Sequence, residues 1–312
     1  MIKRHLVCFI EQMSQKRKHE QTCDQPSLPQ ASPTVFSHAI RPVTQRFHLD
    51  LSIKKELFAR KPDFGFNGLG EVVFRRTYSR NNEDWADVVI RVIEGVMSIR
   101  KEHFYRNSLR WVDSEWQSFA REMAHSMFSM EWLPPGRGLW MMGTDFVYTR
   151  GSMALNNCAA TSTKDDIILS AEWTMDSLMN GVGIGFDTTW RGVATRPNKQ
   201  DTEVYVIDDS REGWVSSLIK LLCAYIDSPR YGKNKFPKFD YSVIRPAGKP
   251  IKGFGGQASG PAPLKKMHDR IEGFLDSFCD GYIIVNGQVK EYNHTRLVAD
   301  IFNSIGACVV AG

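Results

Sequence analysis

The chain has 312 residues, 42% of them hydrophobic and 24% charged, with a formal net charge of +5. That is the composition of a globular protein large enough for one sizeable domain or two smaller ones. No apolar run approaches the roughly 20 residues that cross a bilayer, and "MIKRHLVCFIEQ" is too short in apolar residues for a secretory signal, so a cytoplasmic location is expected.

Residues 1–40 are polar and proline-punctuated, and are expected to remain a disordered tail because they bury too little to offset their ordering entropy. Its Lys16-Arg17-Lys18 cluster reads as a solvated charge run, and no direct nucleic-acid binding is expected. Residues 41–150 read as a helical N-terminal domain. Trp85, Val88, Val89, Val92, Ile93 and Val96 recur at three- and four-residue steps, and Trp116, Phe119, Met123, Met127 and Met130 repeat the pattern. "LPPGRG" at 133–138 is expected to stop the helices.

From residue 151 the alternation changes. "MALNNCAAT" reads as a strand, and Thr163 with Asp166 reads as the cap of a helix running to about Asn180 and ended by Gly181. "VGIGFDT" is a glycine-interrupted strand, and Ser210 to Tyr225 is helical with Trp214, Leu218, Leu221, Leu222 and Tyr225 on one side. "YSVIRPAGKPIKGF" is extended and turn-rich. Pro261 opens a helix carrying Leu264, Met267, Ile271, Phe274 and Phe278, and a last helix covers about Thr295 to Ile305. The strand–helix order implies an α/β architecture. The closing "GACVVAG" reads as strand-like and uncapped, as if the chain were cut.

Six scattered cysteines without a CxxC argue against a structural zinc site. By its local surroundings alone Cys158 reads as a buried core thiol, since no adjacent His or Lys would activate it. "NGVGIGF" and "GFGGQASGP" could cradle phosphate or simply make tight turns; neither completes a P-loop or a GxGxxG fingerprint. Arg245, Lys249 and Lys252 put three cations on a stiff loop that could hold an anion or remain solvated. Residue chemistry therefore stops at an α/β protein with a plausible nucleotide ligand.

The stretches "FGFNGLGEVVFRRTYSR", "PPGRGLWMMGT", "ALNNCAATST", "GVGIGFDT", "DSREGW", "IRPAGKPIKGFGGQASGPAPL" and "IGACVVAG", in this order, resemble the monomeric, adenosylcobalamin-dependent (class II) ribonucleoside-triphosphate reductases. The resemblance implies a helical N-terminal region followed by the first half of a ten-stranded α/β barrel, truncated at residue 312, with an insertion at about 188–239. It implies reduction of ribonucleoside triphosphates to deoxyribonucleotides by a thiyl-radical mechanism initiated by adenosylcobalamin. Cys158 is then one of two reducing thiols, Asn157 and Gly183 line the substrate site, and Asp165, Arg245 and Lys252 belong to a deoxynucleotide effector site. "GVGIGF" leads into one specificity loop and "VVAG" begins a second.

Thioredoxin or another dithiol would re-reduce the cysteine pair. The radical-forming cysteine, the second reducing cysteine and most cobalamin-facing elements would lie in a C-terminal remainder, so the chain is expected to be an N-terminal fragment that is inactive alone. Two other readings stay open: a non-catalytic nucleotide-binding or regulatory remnant, and the large subunit of a dimeric reductase.

Overall fold

A computed structural model describes residues 42–250 and 257–311. The expected polar tail with its Lys16-Arg17-Lys18 cluster, and Lys252, lie outside the described residues.

Helices α1 (Leu51–Phe58), α2 (Leu69–Thr77), α3 (Trp85–Arg106) and α4 (Asp113–Phe128) build the first layer, followed by the short α5 (Gly136–Met141) and α6 (Asp145–Arg150). A capping box starts α3: Asp84 accepts from the backbone of the first turn, and the Asp87 side chain accepts from the Asp84 N–H. Of the predicted apolar stripe, Trp85, Val88, Val89, Val92 and Ile93 are buried, while Val96 is half-buried and Met97, beside it, is sealed from water instead. "LPPGRG" does not end helical structure, because Pro135 is the N-cap of α5. A proline costs nothing at a helix start, where its missing N–H would have no partner. Arg91 then ties α5 to α3, donating to Leu139 O at 2.9 Å and Met142 O at 2.6 Å while paired with Glu83 at 2.7 Å.

Beyond residue 155 come two β-α-β units. Strands β1 (Cys158–Thr161) and β2 (Gly183–Phe186) pair in parallel around α7 (Ile167–Met179). Strands β3 (Thr202–Val206) and β4 (Phe236–Asp240) pair in parallel around α8 (Arg211–Tyr225). Helix α9 (Ala262–Asp280), the hairpin β5 (Tyr282–Val285) and β6 (Gln288–Glu291), and α10 (His294–Ala311) follow. The architecture is α/β, and the described strands pair two by two in three sheets.

Four readings need correction. Thr163 is not the cap of α7; Asp166 is, accepting from Ile168 N at 2.9 Å and Leu169 N at 3.0 Å. The strand expected over "MALNNCAAT" begins only at Cys158, after a turn of 3-10 helix at Met153–Leu155. Residues 306–311 are not strand-like but continue α10, because Ile301, Phe302, Ile305 and Cys308 fall on one buried helical face. The same helix holds Val309–Ala311, so "VVA" is helical where a specificity loop was expected to begin.

The buried side chains form two main clusters, one among α1–α5 and one among α7–α10, with a small third of Met141, Val147 and Ala154. At the centre of the second cluster His268 is stacked on Phe239 at 4.1 Å. Its Nδ1 lies 2.8 Å from the Tyr241 hydroxyl and its Nε2 3.0 Å from Ser217 Oγ. Burial pushes its pKa down to about 3, so it is a neutral core residue joining α8, α9 and the end of β4.

Candidate functional site

Parallel pairing of β1 with β2 sets Cys158 directly opposite Gly183, and Gly183 N donates to Asn157 O at 2.8 Å. Side chains alternate along a strand. Ala159, Thr161, Ile184 and Phe186 therefore share the partly buried face, where Phe186 meets Phe302 at 4.6 Å between ring centroids. Cys158, Ala160, Gly183 and Gly185 share the exposed face. Nothing larger than a thiol projects there from the paired residues, so a planar or ring-shaped ligand could approach the sulfur. A Cβ on Gly183 would meet only Asn157 O, at an ordinary 3.5 Å. The local backbone does not demand this glycine.

Cys158 is exposed, which removes the core-thiol reading. Cys223 and Cys308 are the core thiols, both pushed up to about 12 by burial. Cys279 is half-buried, with its Sγ 3.7 Å from Ala194 O. Of the four described cysteines, Cys158 is the exposed one.

The far end of the strand pair is clamped by Asp187, which the sequence reading missed. Its Oδ1 accepts from Thr163 N at 2.9 Å, Thr163 Oγ1 at 2.8 Å, Thr189 N at 3.2 Å and Thr189 Oγ1 at 2.8 Å. Hydrogen bonds from the Ser162 side chain, the Thr163 backbone and the Thr189 side chain hold its carboxyl well below the usual range. The clamp explains why Thr163 is fully buried instead of capping α7. The nearby Arg137 of "PPGRG" donates to Gly181 O at 2.7 Å, fixing the turn that leads into β2 to the helical layer.

The expected site residues fall into separate places. Asn157, Cys158 and Gly183 are brought together at the start of the strand pair. Asp165 is exposed in the turn between β1 and α7. Arg245 follows β4 and is engaged by Asp209, with Nε 2.7 Å from Oδ2 and Nη2 3.3 Å from the backbone oxygen. Lys252 lies outside the described residues.

Two family models match: the ribonucleotide reductase alpha domain over residues 50–144, and the insertion domain of B12-dependent ribonucleotide reductase over residues 175–275. The chain belongs to the B12-dependent ribonucleotide reductases. It is 39% identical over 284 residues to an adenosylcobalamin-dependent ribonucleoside-triphosphate reductase of Euglena gracilis, a match covering 87% of this chain and 37% of the relative. It is 37% identical over 294 residues to a probable adenosylcobalamin-dependent ribonucleoside-triphosphate reductase of Dictyostelium discoideum, covering 84% of this chain and 37% of the relative. The crystal structure of a B-12 dependent (class II) ribonucleotide reductase superposes with a TM-score of 0.69 at 24% identity, covering 85% of this chain and 43% of that one, and so shares its fold. This chain thus spans little more than a third of the length of these two curated relatives. Its alpha-domain match covers the helical core, and its insertion-domain match contains the expected 188–239 segment together with β2 to β4 and α8.

Proposed function

We propose that this chain is the part of an adenosylcobalamin-dependent ribonucleoside-triphosphate reductase that carries one of the two reducing thiols, Cys158, and portions of its substrate and effector sites. The observation that carries the reading is the exposed Cys158 at the head of β1, facing Gly183 across a strand pair of small residues. In the reaction a thiol pair becomes a disulfide, giving up two electrons and two protons while the ribose 2′ hydroxyl leaves as water. Cys158 is one member of that pair. Among the described residues the other cysteines are buried or partly buried, and on this reading the second member comes from polypeptide outside this chain. On the same reading residues 151–312 supply the first half of the ten-stranded reductase barrel, begun by β1 and β2, and the second half comes from the same outside polypeptide.

Asn157 and Gly183 would border the substrate ribose. Asp165, Arg245 and Lys252 would meet a deoxynucleotide effector, with Arg245 turning from Asp209 to phosphate. A dithiol protein such as thioredoxin would restore the pair. Adenosylcobalamin supplies the radical that starts the chemistry. Among the described residues no group of three or more His, Cys, Asp or Glu is placed to hold a metal ion, and we assign no residue of this chain to the cofactor. The insertion-domain match favours this reading over a dimeric reductase large subunit.

The test is Cys158→Ser in a reductase assembled around this chain. Serine is nearly isosteric and cannot form a disulfide, so multiple turnover with a dithiol reductant should be abolished while the melting temperature is unchanged. Turnover equal to wild type would overturn the redox role of Cys158.

A further inference from the structure

Helix α2 turns its apolar side outward. Leu69, Val72 and Val73 stand at i, i+3 and i+4, yet they are 62%, 59% and 43% exposed, and Phe74 is the helix's one buried residue. Just before the helix, Phe66 is 84% exposed. Its φ is 53°, within four successive residues at positive φ: Gly65 at 62°, Phe66, Asn67 at 51° and Gly68 at 89°. A bulky L-residue rarely occupies that region. Strain of this kind persists where the surroundings impose it. Here Phe64 is the anchor, packed on Phe74 at 5.1 Å and Trp85 at 5.7 Å. A Cβ on Gly70 would lie 2.4 Å from Phe64 O, so helix and loop are locked together. The result is a rigidly presented aromatic knob beside an aliphatic strip, the composition of an interface centre rather than of a solvated surface.

We propose that this face docks against the part of a B12-dependent reductase polypeptide that lies outside this chain. The proposal rests on family membership and is independent of the role given to Cys158. Two observations choose this occupant. The whole strip lies inside the alpha-domain match at 50–144, in a chain that covers only 37% of its Euglena relative, so well over half of such a polypeptide is available to cover it. The strip also ends one turn on in Arg76, exposed and without an ion pair among the described residues. Two copies packed antiparallel about a twofold axis would set each Arg76 over the partner's Leu69, a charge against a leucine. Glu71, the acid on this helix, already holds Arg75 at 2.8 Å. The surface therefore fits an apolar segment carrying its own acidic residue, not itself.

A photo-crosslinking experiment on the full chain tests this. Benzoylphenylalanine at Val72, which makes no core contact, is introduced in the native cell, and the adducts formed on irradiation are sequenced by mass spectrometry. The expected adduct is a ribonucleotide reductase sequence outside residues 1–312. It should be absent when the crosslinker replaces the exposed Ser118 of α4, and fall at least tenfold when Phe66→Ser is added to the Val72 probe. Cys158→Ser should leave it unchanged, which separates this surface from the redox reading. Adducts to a second copy of this chain, adducts only to unrelated proteins, or no adduct above the Ser118 level would each overturn the proposal.

Discussion

Glu102 shows how much a single side chain can hold in this protein. Its Oε2 accepts from Thr44 N and Gln45 N, both at 2.7 Å, and from Thr44 Oγ1 at 3.0 Å, while Oε1 accepts from Arg106 Nε at 2.6 Å. Burial alone would raise its pKa. The bonds from Gln45, Thr44 and Arg106 outweigh that and set it at about 2. A carboxyl with a depressed folded-state pKa adds stability that is complete above its unfolded value near 4.5 and is lost as pH falls from 4.5 toward 2. Glu102→Gln should lower stability at pH 7 by on the order of 2 kcal/mol and flatten the pH dependence in that window. Urea midpoints at pH 7 and pH 3 check this, and an equal loss at both would remove the charge from the account. The Arg106 pair has the i, i+4 spacing of a helix, but the bonds from Gln45 and Thr44 were not visible in the sequence, because those partners are 57 and 58 residues away.

Elements were legible where one periodicity ran unopposed. Helices α8 and α9 lie close to where apolar spacing, Ser210 and Pro261 put them. The hairpin β5–β6 carries an Asn286-Gly287 turn with φ of 52° and 76°, a local signal the sequence reading passed over. Helix contacts were harder to read, and Gly95 in the middle of α3 is an example. Glycine in a helix interior is ordinarily about 1 kcal/mol worse than alanine, so Gly95→Ala looks stabilising on paper. In the structure a Cβ there would sit 2.5 Å from Gly143 N, in the turn after α5. Overpacking against backbone costs about 3 kcal/mol, more than the propensity gain. The melting temperature of Gly95→Ala should therefore fall, and a rise would show that the α3–α5 contact yields.

At the scale of the whole molecule the two main buried clusters share no residues, and a cluster of three comes from the stretch of chain between them. Calorimetry should then resolve two transitions instead of one. Ile93→Ala, at a fully buried position of the first cluster, should lower one of them by about 2–5 kcal/mol. Leu218→Ala, fully buried in the second, should lower the other by a similar amount. A single transition that moves with both variants would mean that the two cores unfold as one cooperative unit. The strand-like ending expected for the chain is instead the last turns of α10, which runs to Ala311.

By itself the sequence determined the helical first part, the α/β second part, the family and the strand bearing Cys158, because each is written in local spacing or in short ordered motifs. Only the tertiary structure decided that Cys158 is exposed, that Gly183 faces it, that Asp187 takes Thr163 away from the helix cap, and that Arg245 is held by Asp209. Those outcomes depend on pairs 24 to 36 residues apart in the chain. Strand pairing and side-chain hydrogen bonds between such residues follow from three-dimensional closure, on which a linear pattern is silent. The outward face of α2 belongs with them: its spacing announces an amphipathic helix, but which side meets the core is settled by Phe64 and Trp85 packing on Phe74.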